Sequence, residues 1–135
     1  MRTLIVAVGR LRPPYQDDVQ HYRKMLARYA HVEAIELRDE EKVGGRIPAD
    51  AFKVLLSSDG VQMDSVEFAK FVGERRESGR DLCFVIGGPR GIDLDAWDLK
   101  LSFGPMTLPH QLARVVLIEQ IYRAHKILAR EPYHY

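Results

Sequence analysis

The sequence predicts an α/β fold, a mainly parallel sheet with helices on both faces. Short apolar runs recur along the chain and alternate with longer stretches whose apolar residues fall three and four apart. Two of the runs, Leu82 to Ile86 and Leu101 to Phe103, halt abruptly at Gly and Pro, as buried strands do where they enter a loop. A length of 135 residues suits one domain, residues 1–135, with a core of its own.

Arg2 to Val8 reads as the first strand, turned by Gly9, and Pro13-Pro14 ends the loop that follows. A helix is expected from Tyr15 to about Ala30, with Val19, Tyr22, Met25, Leu26 and Tyr29 on one face. Asp17 and Asp18 near its start and Arg23, Lys24 and Arg28 towards its end suit the helix dipole. Val32 to Leu37 alternates apolar and acidic residues, as a half-exposed strand would. Arg38 to Pro48 is too poor in apolar residues for a packed helix and reads as a mobile loop. The third strand is expected over Ala51 to Ser57, reached by a connection near the minimum for a parallel crossover. Asp64 or Ser65 caps the next helix, which runs to about Glu77 with Gly79 just past its end. One or two helical turns are expected over Asp93 to Leu99. The last helix starts at Pro109 and runs to roughly Arg130. Its apolar positions wrap most of the circumference, which predicts burial on two sides and hence a two-fold homodimer.

Composition excludes several classes. No apolar run is long enough to span a bilayer, and no signal-peptide pattern opens the chain. Hydrophobic content of 46% and a single Cys83 fit a soluble protein of a reducing, cytoplasmic compartment. Twenty basic against nineteen acidic residues give a net charge of +1, so no global field draws nucleic acid in. His21, His31, His110, His125 and His134 show no metal-ligand spacing, so no metal is expected.

Two turns stand out. Gly87-Gly88-Pro89-Arg90-Gly91 has neither dinucleotide-fingerprint nor P-loop spacing. As a bare glycine turn it is as often structural as functional. Phe103-Gly104-Pro105-Met106-Thr107-Leu108 is apolar but irregular. Together they offer apolar walls and main-chain hydrogen bonds, as a flat ligand such as adenine requires; the alternative is a core-filling loop. Neither turn carries a nucleophile or base, so the reactive group would come with a cofactor. His110 reads as a plain helix residue, and Glu119 and Arg123, four apart, as a simple pair. The tail Glu131 to Tyr135 is either disordered or, if ordered, a carrier of stacking and proton chemistry.

These residues carry a resemblance. Val6-Ala7-Val8-Gly9-Arg10-Leu11, Ile86-Gly87-Gly88-Pro89-x-Gly91, Met106 to Gln111, Arg114 to Ala124 and the terminal Tyr133-His134 resemble the RlmH family over nearly the whole chain. That family comprises small SPOUT-class methyltransferases that modify N3 of a pseudouridine in helix 69 of 23S rRNA, on the assembled ribosome. The resemblance implies a C-terminal trefoil knot, an exception to unthreaded connections, and a homodimer. It implies S-adenosylmethionine as methyl donor, contacted by Leu56, Gly87, Phe103, Gly104, Pro105, Met106, Thr107 and Leu108. Arg123, Tyr133 and His134 match the family's active-site positions, facing the target base across the dimer interface. Partners would be a second copy and the large subunit, with no membrane and no DNA.

The chain departs from the family's pattern in three places. Leu56-Ser57-Ser58-Asp59-Gly60 lacks the acid expected at position 57, and Tyr135 stands where a basic residue is usual. Arg38 to Pro48 is short, as though a helix were missing from one sheet face. The rival reading is a knotted module that binds S-adenosylmethionine or RNA without turnover.

Overall fold

The computed structural model describes residues 1–87 and 97–133. Its strands are β1 (Arg2–Val8), β2 (His31–Leu37), β3 (Phe52–Gln62), β4 (Leu82–Ile86) and β5 (Leu99–Ser102). Its α-helices are α1 (Tyr15–Leu26), α2 (Ser65–Ser78) and α3 (His110–Leu128). The five strands form one sheet in the order β2-β1-β4-β3-β5, with every neighbouring pair parallel.

This order decides where the helices go. The crossovers β1-α1-β2 and β3-α2-β4 both move towards the β2 edge, so right-handedness puts both helices on the same face. The connection from β2 to β3 moves the other way and passes behind. Leu26 of α1, Phe68, Ala69 and Val72 of α2, and Leu117, Ile118 and Ile121 of α3 accordingly share one core with Ile5, Val54 and Phe84. The opposite sheet face, with Leu4, Val6, Leu55, Cys83 and Val85, is covered by Val43, Ala51, Ile47 and Trp97. The expectation of helices on both faces is therefore corrected: among the described residues all three α-helices lie on one.

Other boundaries shift for local reasons. The stretch expected as a mobile loop forms two 3-10 turns, Glu40–Lys42 and Gly44–Arg46, and is pinned by Val43, which is wholly buried. One apolar side chain suffices because the sheet supplies the rest of the contact. α1 ends at Leu26, and turns replace its expected last residues. β3 runs past Ser57 to Gln62: a bulge separates Leu56 from Val61, and pairing with Leu101 and Ser102 resumes beyond it. β5 starts at Leu99, two residues earlier than expected and in place of the end of a helical turn; the remainder of that expected turn, residues 93–96, lies outside the described residues. α2 is bounded as predicted, by a capping box between Asp64 and Glu67 and by Gly79 at φ 76°.

α3 lies between α1 and α2 and packs on both. Its apolar circumference thus has a source within one chain, and the pattern alone does not require a second. What its own chain leaves half-buried is a stripe of Leu112, Val115, Val116, Glu119 and Arg123, whose three apolar members pack against neither core. Among the described residues no helix is long and apolar enough to cross a membrane.

His125 on α3 is 2% exposed, and neither ring nitrogen has a hydrogen-bond partner among the described residues. Burial, then the nearby Arg76 charge, push its pKa down from 6.5 to about 4. Between those values the unfolded chain binds a proton that the folded chain excludes, so stability falls as pH drops through this window. The loss approaches about 3 kcal/mol. Denaturant midpoints at pH 7.5 and 4.5 should show it, and His125→Leu should flatten the difference; equal acid sensitivity in both chains would contradict it.

Candidate active site

The carboxyl ends of the strands are held together by side chains that reach far along the chain. Arg114 is 6% exposed, donating from Nη1 to the Gly9 carbonyl (3.0 Å) and from Nη2 to Glu36 Oε2 (2.6 Å). The same carboxylate oxygen accepts from the Leu11 amide at 2.7 Å. A buried guanidinium is tolerated because it is paired and hydrogen-bonded, and it fixes the start of α3 over β1. Sequence reasoning gave Arg114 no role. The available signal was an arginine set between Leu112 and the apolar run Val115 to Ile118.

A cavity of about 450 Å³ opens beside this anchor. Leu56, Ser57 and Ser58 at the β3 bulge form one side, and Ile86 and Gly87 at the end of β4 form another. Phe103, Gly104, Met106, Thr107 and Leu108 close it from the loop, with His110 and Ala113 of α3 beneath. Seven of the eight expected cofactor contacts thus line one space; Pro105 sits in the same loop but not on the wall. The loop is held open by Ser102, whose hydroxyl accepts from the Gly104 amide and donates to the Gly104 carbonyl, each at 3.1 Å. Gly104 has φ 123°, a backbone state that side-chain-bearing residues rarely adopt. The walls are chiefly apolar with main-chain and hydroxyl groups between, and the volume suits a nucleoside-sized ligand.

His110 contributes more than a first helical turn. Its imidazole hydrogen-bonds the Gly87 main chain, while Nε2 is buried without a partner among the described residues. Burial, then the Arg114 charge, lower its pKa from the ordinary histidine value and so favour the neutral ring. Ser57 donates to the Asp59 carboxylate, which lies two residues beyond the position of the missing acid. That bond holds the Asp59 pKa below the usual carboxylate value.

The expected catalytic residues gather elsewhere. Glu119 Oε2 accepts from Arg123 Nε (3.1 Å) and Nη2 (2.8 Å) and from the Tyr133 hydroxyl (2.7 Å). The guanidinium carbon lies 4.2 Å from the Tyr133 ring centroid, and Tyr133 meets Tyr122 edge-on at 5.2 Å. Burial, then the Glu119 bond, drive the Tyr133 pKa far above its ordinary 10. Tyr133 is thereby tied to α3. Glu131 anchors the tail, accepting from Tyr29 (2.9 Å) and Lys126 (3.0 Å). His134 and Tyr135 lie outside the described residues. Arg123 is ten residues beyond Ala113 on α3, about 15 Å along its axis. One chain does not bring the two groups together.

Residues 1–134 match the family model described as a predicted SPOUT methyltransferase. The chain belongs to the SPOUT methyltransferase family. Within it, the chain is 39% identical to ribosomal RNA large subunit methyltransferase H of Carboxydothermus hydrogenoformans, covering 99% of each chain. It is 37% identical to the protein of that name from Gemmatimonas aurantiaca, again over 99% of each. For Bifidobacterium animalis subsp. lactis the figures are 42% identity, 96% of this chain and 97% of the relative. The RlmH resemblance is thus a full-length one. No group of His, Cys, Asp or Glu among the described residues is arranged to hold a metal ion.

Proposed function

We propose that this SPOUT protein is an S-adenosylmethionine-dependent methyltransferase that modifies N3 of a pseudouridine in helix 69 of 23S rRNA. It would act on the assembled ribosome, as a cytoplasmic homodimer. The observation that carries the reading is the convergence of Leu56, Gly87 and the 103–108 loop on one cavity at the carboxyl end of the sheet. The relatives' names support the substrate class. The trefoil knot is part of the proposal. It is supported by the path from β5 at one edge to α3, which begins beside Gly9 on the far side of β4.

The donor fits the residues present: apolar walls for adenine, main-chain groups at Gly87 and along Met106 to Leu108 for its ring nitrogens, and Ser57 or Ser58 for hydroxyls. When bound it supplies an activated methyl on a sulfonium. The chain's own residues then align the attacking nitrogen and keep water out. N3–H must lose its proton on the way, and Arg123 stabilises the developing anion. The base is left to His134 or a water.

The open stripe of α3 suggests how Arg123 reaches the cavity. Val61, Val66 and Met106 are 54%, 68% and 83% exposed, and they flank a second hollow lined by Met63, Phe68, Phe103, Val116 and Gln120. Apolar exposure on this scale marks a contact surface. A two-fold axis crossing the stripe between Val115 and Glu119, level with position 118, would lay two α3 helices antiparallel. The partner's Arg123 would then stand beside Ala113 at the cavity.

The test is labelled S-adenosylmethionine incubated with ribosomes lacking this modification. Label should enter 23S rRNA of assembled particles, with little in protein-free RNA, because a net charge of +1 gives weak phosphate affinity. No labelled RNA would favour the non-catalytic module, and equal labelling of naked RNA would contradict the ribosome requirement.

A further inference from the structure

The loop Gly9–Pro14 has half of its main-chain groups committed to side chains from outside it. Gly9 O accepts from Arg114 at 3.0 Å, and Leu11 N donates to Glu36 at 2.7 Å. Arg12 N donates to Gln111 Oε1 at 2.8 Å, while Gln111 Nε2 donates back to Arg10 O at 3.0 Å. Leu11 O accepts from Gln16 at 2.8 Å, and the Leu11 side chain is buried at 7% exposure. With Leu11 anchored inward, the neighbours on either side, Arg10 and Arg12, are exposed. Neither guanidinium makes a hydrogen bond or a close ion pair among the described residues, although Asp17 and Asp18 lie in the next helical turn; Arg10 acts on the Glu36 carboxylate only from a distance. Such a loop loses little freedom when it binds, because its backbone is already fixed.

The loop also touches the candidate site. Gly9 packs against His110, whose Cε1 would lie 3.8 Å from a Cβ placed on Gly9, and His110 lines the cavity. Two immobilised backbone positions thus display two exposed guanidiniums beside a residue of the cavity wall, neither of them taken up by a hydrogen bond among the described residues.

We propose that Arg10 and Arg12 form a phosphate-binding platform that seats the RNA backbone beside the methyl-transfer cavity. A planar guanidinium pairs with phosphodiester oxygens in a fork that lysine does not offer. Contacts of this kind position a nucleic acid without reading its sequence. They also answer how a chain of net charge +1 holds RNA: by local, preset cations in place of a global field. The proposal rests on the rRNA reading above and names the surface that reading requires.

The double variant Arg10→Gln/Arg12→Gln, in the full chain, tests it by titration against purified large ribosomal subunits over a series of KCl concentrations. Thermal midpoint and S-adenosylmethionine affinity should match wild type. Affinity for subunits should fall about tenfold or more at low salt, and the slope of log K against log[salt] should shrink by about 1.4–1.8 for two lost phosphate contacts. An unchanged slope with wild-type affinity would overturn the platform and leave the rRNA reading standing. Reduced cofactor affinity would overturn it by assigning the arginines to the donor. A wild-type protein with no salt-dependent affinity for subunits would instead sink the rRNA reading itself.

Discussion

Arg123→Ala is expected to lower turnover by about 10²–10³-fold while leaving S-adenosylmethionine affinity unchanged. The split follows from where the residue sits. Arg123 is not part of the cavity wall and lies about 15 Å along α3 from Ala113 of its own chain; even if the partner's Arg123 faces the cavity, its loss leaves every wall residue that would hold the donor in place. It does remove the one cation of the Glu119, Arg123 and Tyr133 group. The fold should survive, because Glu119 keeps the Tyr133 hydroxyl at 2.7 Å and the Gln120 amide at 2.8 Å. Single-turnover labelling gives the rate, and calorimetry gives the affinity. Arg123→Lys should recover only part of the rate, since an ammonium keeps the charge but not the fork. Lost donor binding in Arg123→Ala would refute the assignment.

Gly60→Ala should be the most damaging small substitution in the sheet. A Cβ at Gly60 would stand 2.6 Å from the Lys100 carbonyl carbon and oxygen and 2.7 Å from the Leu101 amide nitrogen. Those are main-chain atoms of the paired strand, which cannot swing aside as a side-chain tip would. Relief requires opening the β3–β5 junction at the bulge, and Leu101 and Ser102, which line the cavity, move with it. The expected cost is about 3 kcal/mol, seen as a fall in thermal midpoint of roughly 10 °C, with weakened donor affinity. Gly45→Ala is the control, because nothing lies within 4 Å of a Cβ there. A Gly60→Ala chain as stable as the control would show that the bulge is not the tight junction described.

Much of this architecture was readable from local pattern. β4 was legible because Leu82 to Ile86 is continuously apolar and sharply bounded, and α2 because Asp64, Glu67 and Gly79 mark its ends chemically. The far half of β3 was not, since Ser57-Ser58-Asp59-Gly60 reads as a turn and pairs only because β5 receives it. Which face the helices take depends on strand order, and no local pattern encodes that order. The same holds for the site. Glu119 and Arg123 are four apart and announce their pairing, whereas Tyr133 reaches Glu119 from fourteen residues on through a tail anchored at Glu131. Arg114 and Glu36, 78 positions apart, meet only in the folded chain.

The central claim is that one subunit's cavity works with Arg123 of the other. Mixed dimers test it most directly. Protomers carrying Arg123→Ala keep the cavity, and protomers carrying Gly104→Leu, which forces a side chain onto a φ of 123°, keep Arg123. Each variant alone should be nearly inactive in the ribosome labelling assay. Unfolded, mixed in equal amounts and refolded together, they should recover about one quarter of wild-type activity, since half the dimers are mixed and each carries one intact composite site. A mixture no more active than its parents would place cavity and arginine in the same subunit and contradict the account.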